Sequence, residues 1–159
     1  MIVVSDTSAI SNLLQIDSIH ILHSVYGKII IPTLVYGELC DVEGQKKAID
    51  SLSWIEVARP KDVELVTKLE SSLDRGESEA IALAIELKSD FLIIDELSGR
   101  EIAESLGIKI VGLIGTLLKA KEKGIIQSIS PVLDRLSLEA GFHISPTLRK
   151  YVLELANET

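Results

Sequence analysis

The sequence predicts an α/β fold in which helices cover both faces of a parallel sheet. Short apolar runs alternate along the chain with helical stretches, an order typical of parallel sheets. These runs are continuous in Ile, Val and Leu, as burial on both faces of a sheet requires. Two of them, at 2–5 and 91–94, are followed by Asp6 and Asp95. Both acids are therefore expected at the carboxyl edge of the sheet, where ligands bind in folds of this class.

The first half of the chain is expected to contain three strands. In order, the predicted elements are strand 2–5, helices 7–14 and 19–26, strand 28–31, a helix from 32 to about 40, helix 45–52 and strand 55–58. Pro32 stops the second strand and suits the first turn of the helix that follows it. Pro60 is expected to open the next helix, which runs to about Leu73.

The second half is expected to supply the remaining two strands and a helical C-terminal region. The segment Asp74–Glu77 has capping-box spacing, with Asp in the position that Ser or Thr usually holds, and apolar residues from Ala80 to Leu87 follow at helical spacing. The later elements are strand 91–94, helix 99–106, strand 108–111, and helices 113–123, 130–139 and 146–157. We expect a single domain over residues 1–159, with the C-terminal helices from about 128 to 158 packing on it or extending it.

Composition and charge favour a soluble, cytoplasmic protein. The single cysteine, Cys40, excludes an intrachain disulfide, and neither a signal peptide nor a membrane-spanning run is expected. The net charge of −8 argues against broad electrostatic capture of nucleic acid, although acids neutralised by a bound metal would still permit a nuclease. The mean hydropathy of +0.32 favours a buried surface with a second copy or another partner.

Each candidate acid has an ordinary structural explanation beside the functional one. Asp6 and Asp95 each have the position of a helix cap, and Glu38 has that of a solvated helix face. Glu77 and Glu79 suit the positive end of a helix dipole, and at most one of them faces a common centre, because residues two apart point in different directions.

Taken together, the acids favour a cation site. Four carboxylates from four elements would meet at one sheet edge, and each like-charged pair at ~4 Å costs about 4 kcal/mol at an effective dielectric of 20. Such a cluster takes up protons or binds a cation, and all-oxygen ligands suit Mg²⁺ or Mn²⁺ better than Zn²⁺. Ser8 or Thr7 is a candidate for holding water or a phosphate oxygen. Arg100 is a candidate for contacting a phosphate or orienting a carboxylate, and it has Glu104 as an alternative ion-pair partner.

Several segments, in this order and at this spacing, resemble the PIN domain family, and within it the VapC-like group of small prokaryotic proteins. They are residues 3–8 (VVSDTS), 30–39 (IIPTLVYGEL), 76–84 (GESEAIALA) and 92–96 (LIIDE). Two more, 112–121 (GLIGTLLKAK) and 140–145 (AGFHIS), are similar to an uncharacterised prokaryotic PIN-like subgroup.

The resemblance implies a three-layer α/β/α fold with strand order 3-2-1-4-5 and a Mg²⁺- or Mn²⁺-dependent endoribonuclease using one or two ions. Carried over, the catalytic and metal-binding acids are Asp6, Glu38, Glu79 and Asp95. The chain departs from the family at the third of these positions, where many members have Asp followed by Ala and an apolar helix. Here Glu79 precedes Ala80, and Glu77 competes with it for the role. The resemblance further implies an RNA substrate, a homodimer, and the role of toxin beside an antitoxin protein.

Two other functions compete with this prediction. A phosphohydrolase of the haloacid-dehalogenase type also begins with Asp after the first strand, but it needs a second Asp two residues later, where this chain has Ser8. A catalytically weak or inactive PIN-like module that binds a protein partner would keep the fold. Loss of affinity for divalent ions would distinguish that module from an enzyme.

Overall fold

The computed structural model describes residues 1–159 and contains one five-stranded sheet and ten helices. The strands are β1 (Val3–Ser5), β2 (Ile29–Pro32), β3 (Ile55–Ala58), β4 (Phe91–Ile93) and β5 (Ile110–Val111). The helices are α1 (Thr7–Gln15), α2 (His20–Tyr26), α3 (Thr33–Cys40), α4 (Gln45–Asp50), α5 (Val63–Leu69), α6 (Arg75–Leu87), α7 (Leu97–Ser105), α8 (Leu113–Glu122), α9 (Ser130–Ala140) and α10 (Pro146–Leu155). No helix combines the length and the apolar character needed to cross a bilayer.

The sheet is parallel throughout and has the order β3-β2-β1-β4-β5. In the centre, Val4 of β1 is in register with Ile30 on one side and with Leu92 on the other. The strand order implied by the resemblance is confirmed. Because β1 and β4 are neighbours and parallel, the residues that follow them emerge side by side at the carboxyl edge.

Both faces of the sheet are covered by helices, which confirms the three-layer α/β/α architecture. Alternate strand residues face opposite layers, so that Val3 belongs to a core of 24 buried residues and Val4 to a second core of ten. The larger core includes residues of α1, α2 and α8, and the smaller one is built chiefly with α6, to which α5 and α7 add one buried residue each. The continuous apolar strands were therefore a correct indicator of burial on both faces.

The C-terminal helices share the larger core with the sheet. Leu133 of α9 and Val152 of α10 are buried in it. The Glu158 carboxylate accepts hydrogen bonds from the backbone N–H groups of Ile129 (2.7 Å) and Ser130 (3.1 Å). The end of the chain thus satisfies free N–H groups at the start of α9 and ties α10 to that helix.

Some element boundaries differ from those predicted. Pro60 does not open a helix: α5 begins at Val63, because the side chain of Asp62 accepts a hydrogen bond from Leu65 N–H and caps it there. This helix also ends at Leu69, short of the predicted residue 73. The last strand is confined to Ile110–Val111.

Candidate active site

An acidic pocket of about 320 Å³ opens at the carboxyl edge of the sheet, where β1 ends. No apolar residue and no basic residue lines it. Its lining residues are Asp6, Thr7, Ser8, Ser11, Asn12, Glu38, Asp74, Glu77 and Glu96. Five carboxylates therefore face one small volume that lacks a neutralising cation from the protein. We call this volume the acidic pocket.

Asp6 enters the pocket directly from the end of β1. Its backbone N–H donates to Ile93 O at 2.9 Å, which continues the pairing of β1 with β4 past the last strand residue. Asp6 has the N-cap position of α1, but its carboxylate makes no capping hydrogen bond. The residue is only 8% exposed. Asp6 therefore has the position of a helix cap, but its buried carboxylate does not serve as the cap and is available to bind another group.

The electrostatics of the pocket favour proton uptake by two of its acids. Burial, and after it the charges of Asp74, Glu38 and Asp95, raise the pKa of Asp6 to about 7. Burial likewise raises the pKa of Glu77 to about 7, with Asp74 and Asp6 adding to the effect. The pKa of Glu38 is also raised, by burial and by Asp74. Without a bound cation, the pocket holds more negative charge than it can stabilise at neutral pH.

Asp95 does not line the acidic pocket, but its charge acts on Asp6, and hydrogen bonds hold it to two other elements. One of its oxygens accepts from Ser8 Oγ at 3.1 Å, and the other accepts from the backbone N–H of Leu113 at 3.0 Å. The second bond caps α8, whose own N-cap residue, Gly112, has no side chain to do so. Ser8 and the start of α8 thus hold Asp95 in place, and its charge acts on Asp6.

Arg100 lies near Asp95, but its side chain donates a hydrogen bond to the backbone. Its Nη1 donates to Ile94 O at 2.8 Å, at the end of β4. The alternative ion pair with Glu104 does not form. The guanidinium therefore positions the segment that leads into Asp95.

Glu79 is the predicted acid that the structure does not bring to the others. Its carboxylate accepts from Leu34 N–H at 3.1 Å and Thr33 Oγ1 at 3.2 Å, at the start of α3. It lines a separate cavity of about 540 Å³, and the acidic pocket does not include it. Glu77, the competing residue, is 4% exposed and lines the acidic pocket. Residues two apart on α6 point in different directions, so only one of this pair reaches Asp6.

Asp74 and Glu96 line the pocket, although neither was predicted from the sequence to be a site residue. Asp74 caps α6 as predicted, accepting from Glu77 N–H at 2.8 Å. The reciprocal half of the capping box is absent, because the Glu77 side chain turns into the pocket. The sequence of α1 did indicate which of its residues line the pocket. Ser11 and Asn12 follow Ser8 by three and four residues, so the three polar side chains share one helix face, and that face lines the pocket.

Three glycines, which have no side chain, leave room for carboxylates of the site beside them. A Cβ on Gly112 would lie 2.6 Å from Asp95 Oδ1, and one on Gly99 would lie 2.7 Å from Ile94 Cδ1 and 3.2 Å from Glu77 Oε2. At Gly76, a Cβ would overlap Glu38 Oε1. None of the three has a positive φ. Space for an acid, rather than backbone strain, accounts for glycine at these positions.

The residues present fit a hard divalent cation by their chemistry. Carboxylate and hydroxyl oxygens are the ligands that Mg²⁺ and Mn²⁺ prefer. The Thr7 hydroxyl is buried and has no hydrogen-bond partner. Such an orphaned polar atom is the mark of a partner to be supplied. No three His, Cys, Asp or Glu side chains are arranged to hold an ion together. Loading would therefore require the side chains to draw closer.

Comparison with known proteins identifies the family. A family model described as a PIN domain matches residues 2–158, which is nearly the whole chain. No curated protein matches the chain. PIN domains are generally metal-dependent nucleases, and the all-oxygen acidic pocket agrees with that general chemistry. The extent of the match, together with the strand order and the three layers, shows that this chain belongs to the PIN domain family.

Proposed function

We propose that this chain is an endoribonuclease that depends on Mg²⁺ or Mn²⁺ and cleaves RNA phosphodiester bonds. The observation that carries the proposal is the convergence of uncompensated carboxylates on one pocket, with burial raising the pKa of both Asp6 and Glu77 to about 7. A group of acids in this state has a strong electrostatic reason to bind a cation. The purely polar lining suits a phosphodiester better than an apolar ligand.

In this proposal, Asp6, Glu38, Glu77 and Asp95 hold one or two cations. When bound, the metal supplies Lewis-acid chemistry, lowering the pKa of an attacking water and stabilising the leaving oxygen. The chain's own acids supply the negative charge that holds it, and Ser8 keeps Asp95 oriented. Glu79 has no metal-binding role in this arrangement, because it lines a separate cavity at the start of α3 and its charge does not act on Asp6.

The biological role that we propose is that of a VapC-like toxin paired with an antitoxin protein. Its support is the resemblance of the motifs to that group and the family match over residues 2–158. In this role the substrate is a cellular RNA, and we propose a cytoplasmic location. Co-purification of a small protein translated from the adjacent reading frame, with cleavage suppressed in the complex, would support the pairing.

The direct test is cleavage of a single-stranded RNA with and without Mn²⁺. We expect Asp6→Asn to abolish cleavage with the fold intact, and Glu77→Gln to reduce it on the order of 100-fold. Glu79→Gln is the matched control on the same helix, and it should retain activity within a few-fold. Wild-type activity in Asp6→Asn, or a larger loss in Glu79→Gln than in Glu77→Gln, would contradict the proposal.

A second candidate function is a non-catalytic module that binds a protein partner. The observation in its favour is that no three acids are arranged to hold an ion. Titration calorimetry with Mn²⁺ separates the two candidates. The enzyme should bind the ion in the wild type and lose it in Glu77→Gln, whereas the module should bind neither with useful affinity.

A further inference from the structure

A second cavity lies on the same edge of the sheet as the acidic pocket. It has a volume of about 540 Å³, and its lining includes Thr33, which follows β2, and Arg59, which follows β3. The two strands end together, because Pro32 is in register with Ala58. Since β2 is the neighbour of β1, this cavity lies beside the acidic pocket along the carboxyl edge. We call it the Arg59 cavity.

The first turn of α6 separates the two volumes. Arg75 and Glu79 are four residues apart on one face of the helix and line the Arg59 cavity. Asp74 and Glu77 line the acidic pocket from the same turn. A helix with its side chains is about 10 Å across, so the two volumes are close enough for neighbouring units of one polymer to occupy both.

One wall of the Arg59 cavity is apolar. Val63 and Val66 are three residues apart on α5 and line it from one helix face, and Pro60 and Leu34 add to the same lining. Val63 is 68% exposed, although it is a large apolar residue. The acidic pocket has no apolar residue at all. The flat face of an unpaired base is a suitable ligand for this wall, because contact removes apolar surface of both from water.

Two arginines of the Arg59 cavity have N–H groups to offer a ligand. Arg59 is exposed and takes part in none of the ion pairs of the structure. Arg75 uses only its Nε, which pairs with Glu70 at 3.3 Å, and its side chain is 70% exposed. The other carboxylate of the cavity, Glu79, already accepts two hydrogen bonds at the start of α3. Arg59 is therefore the charged group of the cavity that has no partner.

We propose that the Arg59 cavity binds an unpaired nucleotide of the RNA substrate, beside the phosphodiester that is cleaved in the acidic pocket. The base packs against Val63 and Val66, and the guanidinium groups of Arg59 and Arg75 contact phosphate oxygens, for which their planar N–H groups are suited. The inference rests on the proposed function, because it takes RNA as the ligand.

This assignment predicts selection for an unpaired strand rather than for a particular base. Contacts to phosphate carry no sequence information, and an aliphatic wall accepts the face of any base. A base that is paired and stacked in a duplex cannot turn into a cavity of its own. The acidic pocket contributes no cation, so the two arginines supply the positive charge that holds the strand beside it.

Fluorescence anisotropy with a labelled oligouridine tests the arginines, with a chelator present to prevent metal-dependent cleavage. Arg59→Ala should raise the dissociation constant about 3- to 10-fold and reduce the slope of log affinity against log salt by about 0.7, the value for one phosphate contact on a single strand. The double variant Arg59→Ala with Arg75→Ala should reduce that slope by about 1.4.

Lys88→Ala is the matched control for charge. Lys88 is an exposed cation without an ion pair at the other end of α6, and its loss should change the dissociation constant by less than about 2-fold. An RNA duplex should bind more weakly than the single strand and should be insensitive to Arg59→Ala. Equal effects of Arg59→Ala and Lys88→Ala, or a wild type that does not bind the oligouridine, would overturn the proposal.

Photocrosslinking of the same oligomer, with 4-thiouridine in place of uridine, tests the position of the base. We expect crosslinked peptides to include residues 59–67, and Arg59→Ala with Arg75→Ala should remove them. Crosslinks confined to other parts of the chain would overturn the proposal. Uridine monophosphate that bound as tightly as the oligomer would also overturn it, because the occupant would then be a free nucleotide.

Cleavage with Mn²⁺ separates this inference from the proposed function. Arg59→Ala should raise KM about 3- to 10-fold and leave kcat within about 2-fold, because the cavity holds the substrate away from the reacting bond. Binding through both arginines without any cleavage would refute the nuclease and support the cavity. Cleavage and binding that are unaffected by both substitutions would refute the cavity and leave the nuclease standing.

Discussion

Replacing Asp6 with Asn should stabilise the metal-free protein at alkaline pH. The folded chain raises the pKa of this carboxyl from 3.8 to about 7, chiefly through burial. The folded state therefore binds more protons than the unfolded state between about pH 4 and 7, and the free energy of unfolding falls as the pH rises through that window. Asn keeps the shape of the side chain and removes the charge.

The size of the effect follows from the pKa shift. At 1.36 kcal/mol per unit, a rise from 3.8 to about 7 corresponds to ~4 kcal/mol once Asp6 is fully ionised. Since Glu77 also takes up a proton in this range, we expect a gain of 2 to about 4 kcal/mol at pH 8. At pH 4 the gain should shrink below about 1 kcal/mol, because Asp6 is protonated in the folded state and nearly half protonated in the unfolded state, where its pKa is 3.8.

Urea denaturation at pH 8 and pH 4, in the presence of a chelator, measures both quantities. Glu101→Gln is the control: it removes an exposed carboxylate of α7 that makes no hydrogen bond or ion pair, and it should change the free energy of unfolding by less than about 0.5 kcal/mol. Destabilisation by Asp6→Asn at pH 8, or the same gain at both pH values, would refute this account of the acidic pocket.

Three further predictions concern the supports of the site and of the fold. Gly112→Ala should lower Mn²⁺ affinity about 10-fold in calorimetry. The added Cβ would lie 2.6 Å from Asp95 Oδ1 and would displace that oxygen from its hydrogen bond with Leu113 N–H. Unchanged affinity would contradict the spatial role of this glycine. Burial alone would raise the pKa of Glu158, but hydrogen bonds from two backbone N–H groups and from Lys121 lower it. Glu158→Gln should therefore lower the free energy of unfolding by about 1–3 kcal/mol at pH 7, and by less as the pH falls through the carboxyl pKa. A pH-independent loss in urea denaturation would count against this. Thr116→Val should cost about 1–3 kcal/mol in thermal unfolding, because it leaves the buried Tyr26 hydroxyl without its 2.8 Å partner, and a neutral result would show that another partner replaces it.

The fold was largely predictable from the sequence, and the convergence of most site residues followed from it. Continuous apolar runs indicated a two-sided parallel sheet, and the acids after β1 and β4 lie at one edge because those strands are neighbours. The order of the strands came from the resemblance to a family, because apolar periodicity carries no information about which parallel strands pair. The Pro60 helix start was missed because the cap at Asp62 decides the start of α5.

The choice between Glu77 and Glu79 could not be made from the pattern of α6. Residues from Gly76 to Ala84 are almost all buried, since the helix packs under the sheet and against its neighbours. The apolar stripe of an amphipathic helix shows which of its residues face the core. A helix that is buried on nearly all sides has no such stripe, so its sequence does not show which way each residue points. Asp74 was overlooked for a related reason: its capping role was sufficient to explain it, and only the structure shows that it also lines the pocket.

The most direct test of the central claim is anomalous diffraction from crystals of the wild-type chain grown with Mn²⁺. We predict an anomalous peak inside the acidic pocket, within about 2.5 Å of oxygens from Asp6 and at least one of Glu38, Glu77 and Asp95. A peak held by Glu79 at the start of α3, or an acidic pocket that stays empty at millimolar Mn²⁺, would contradict it.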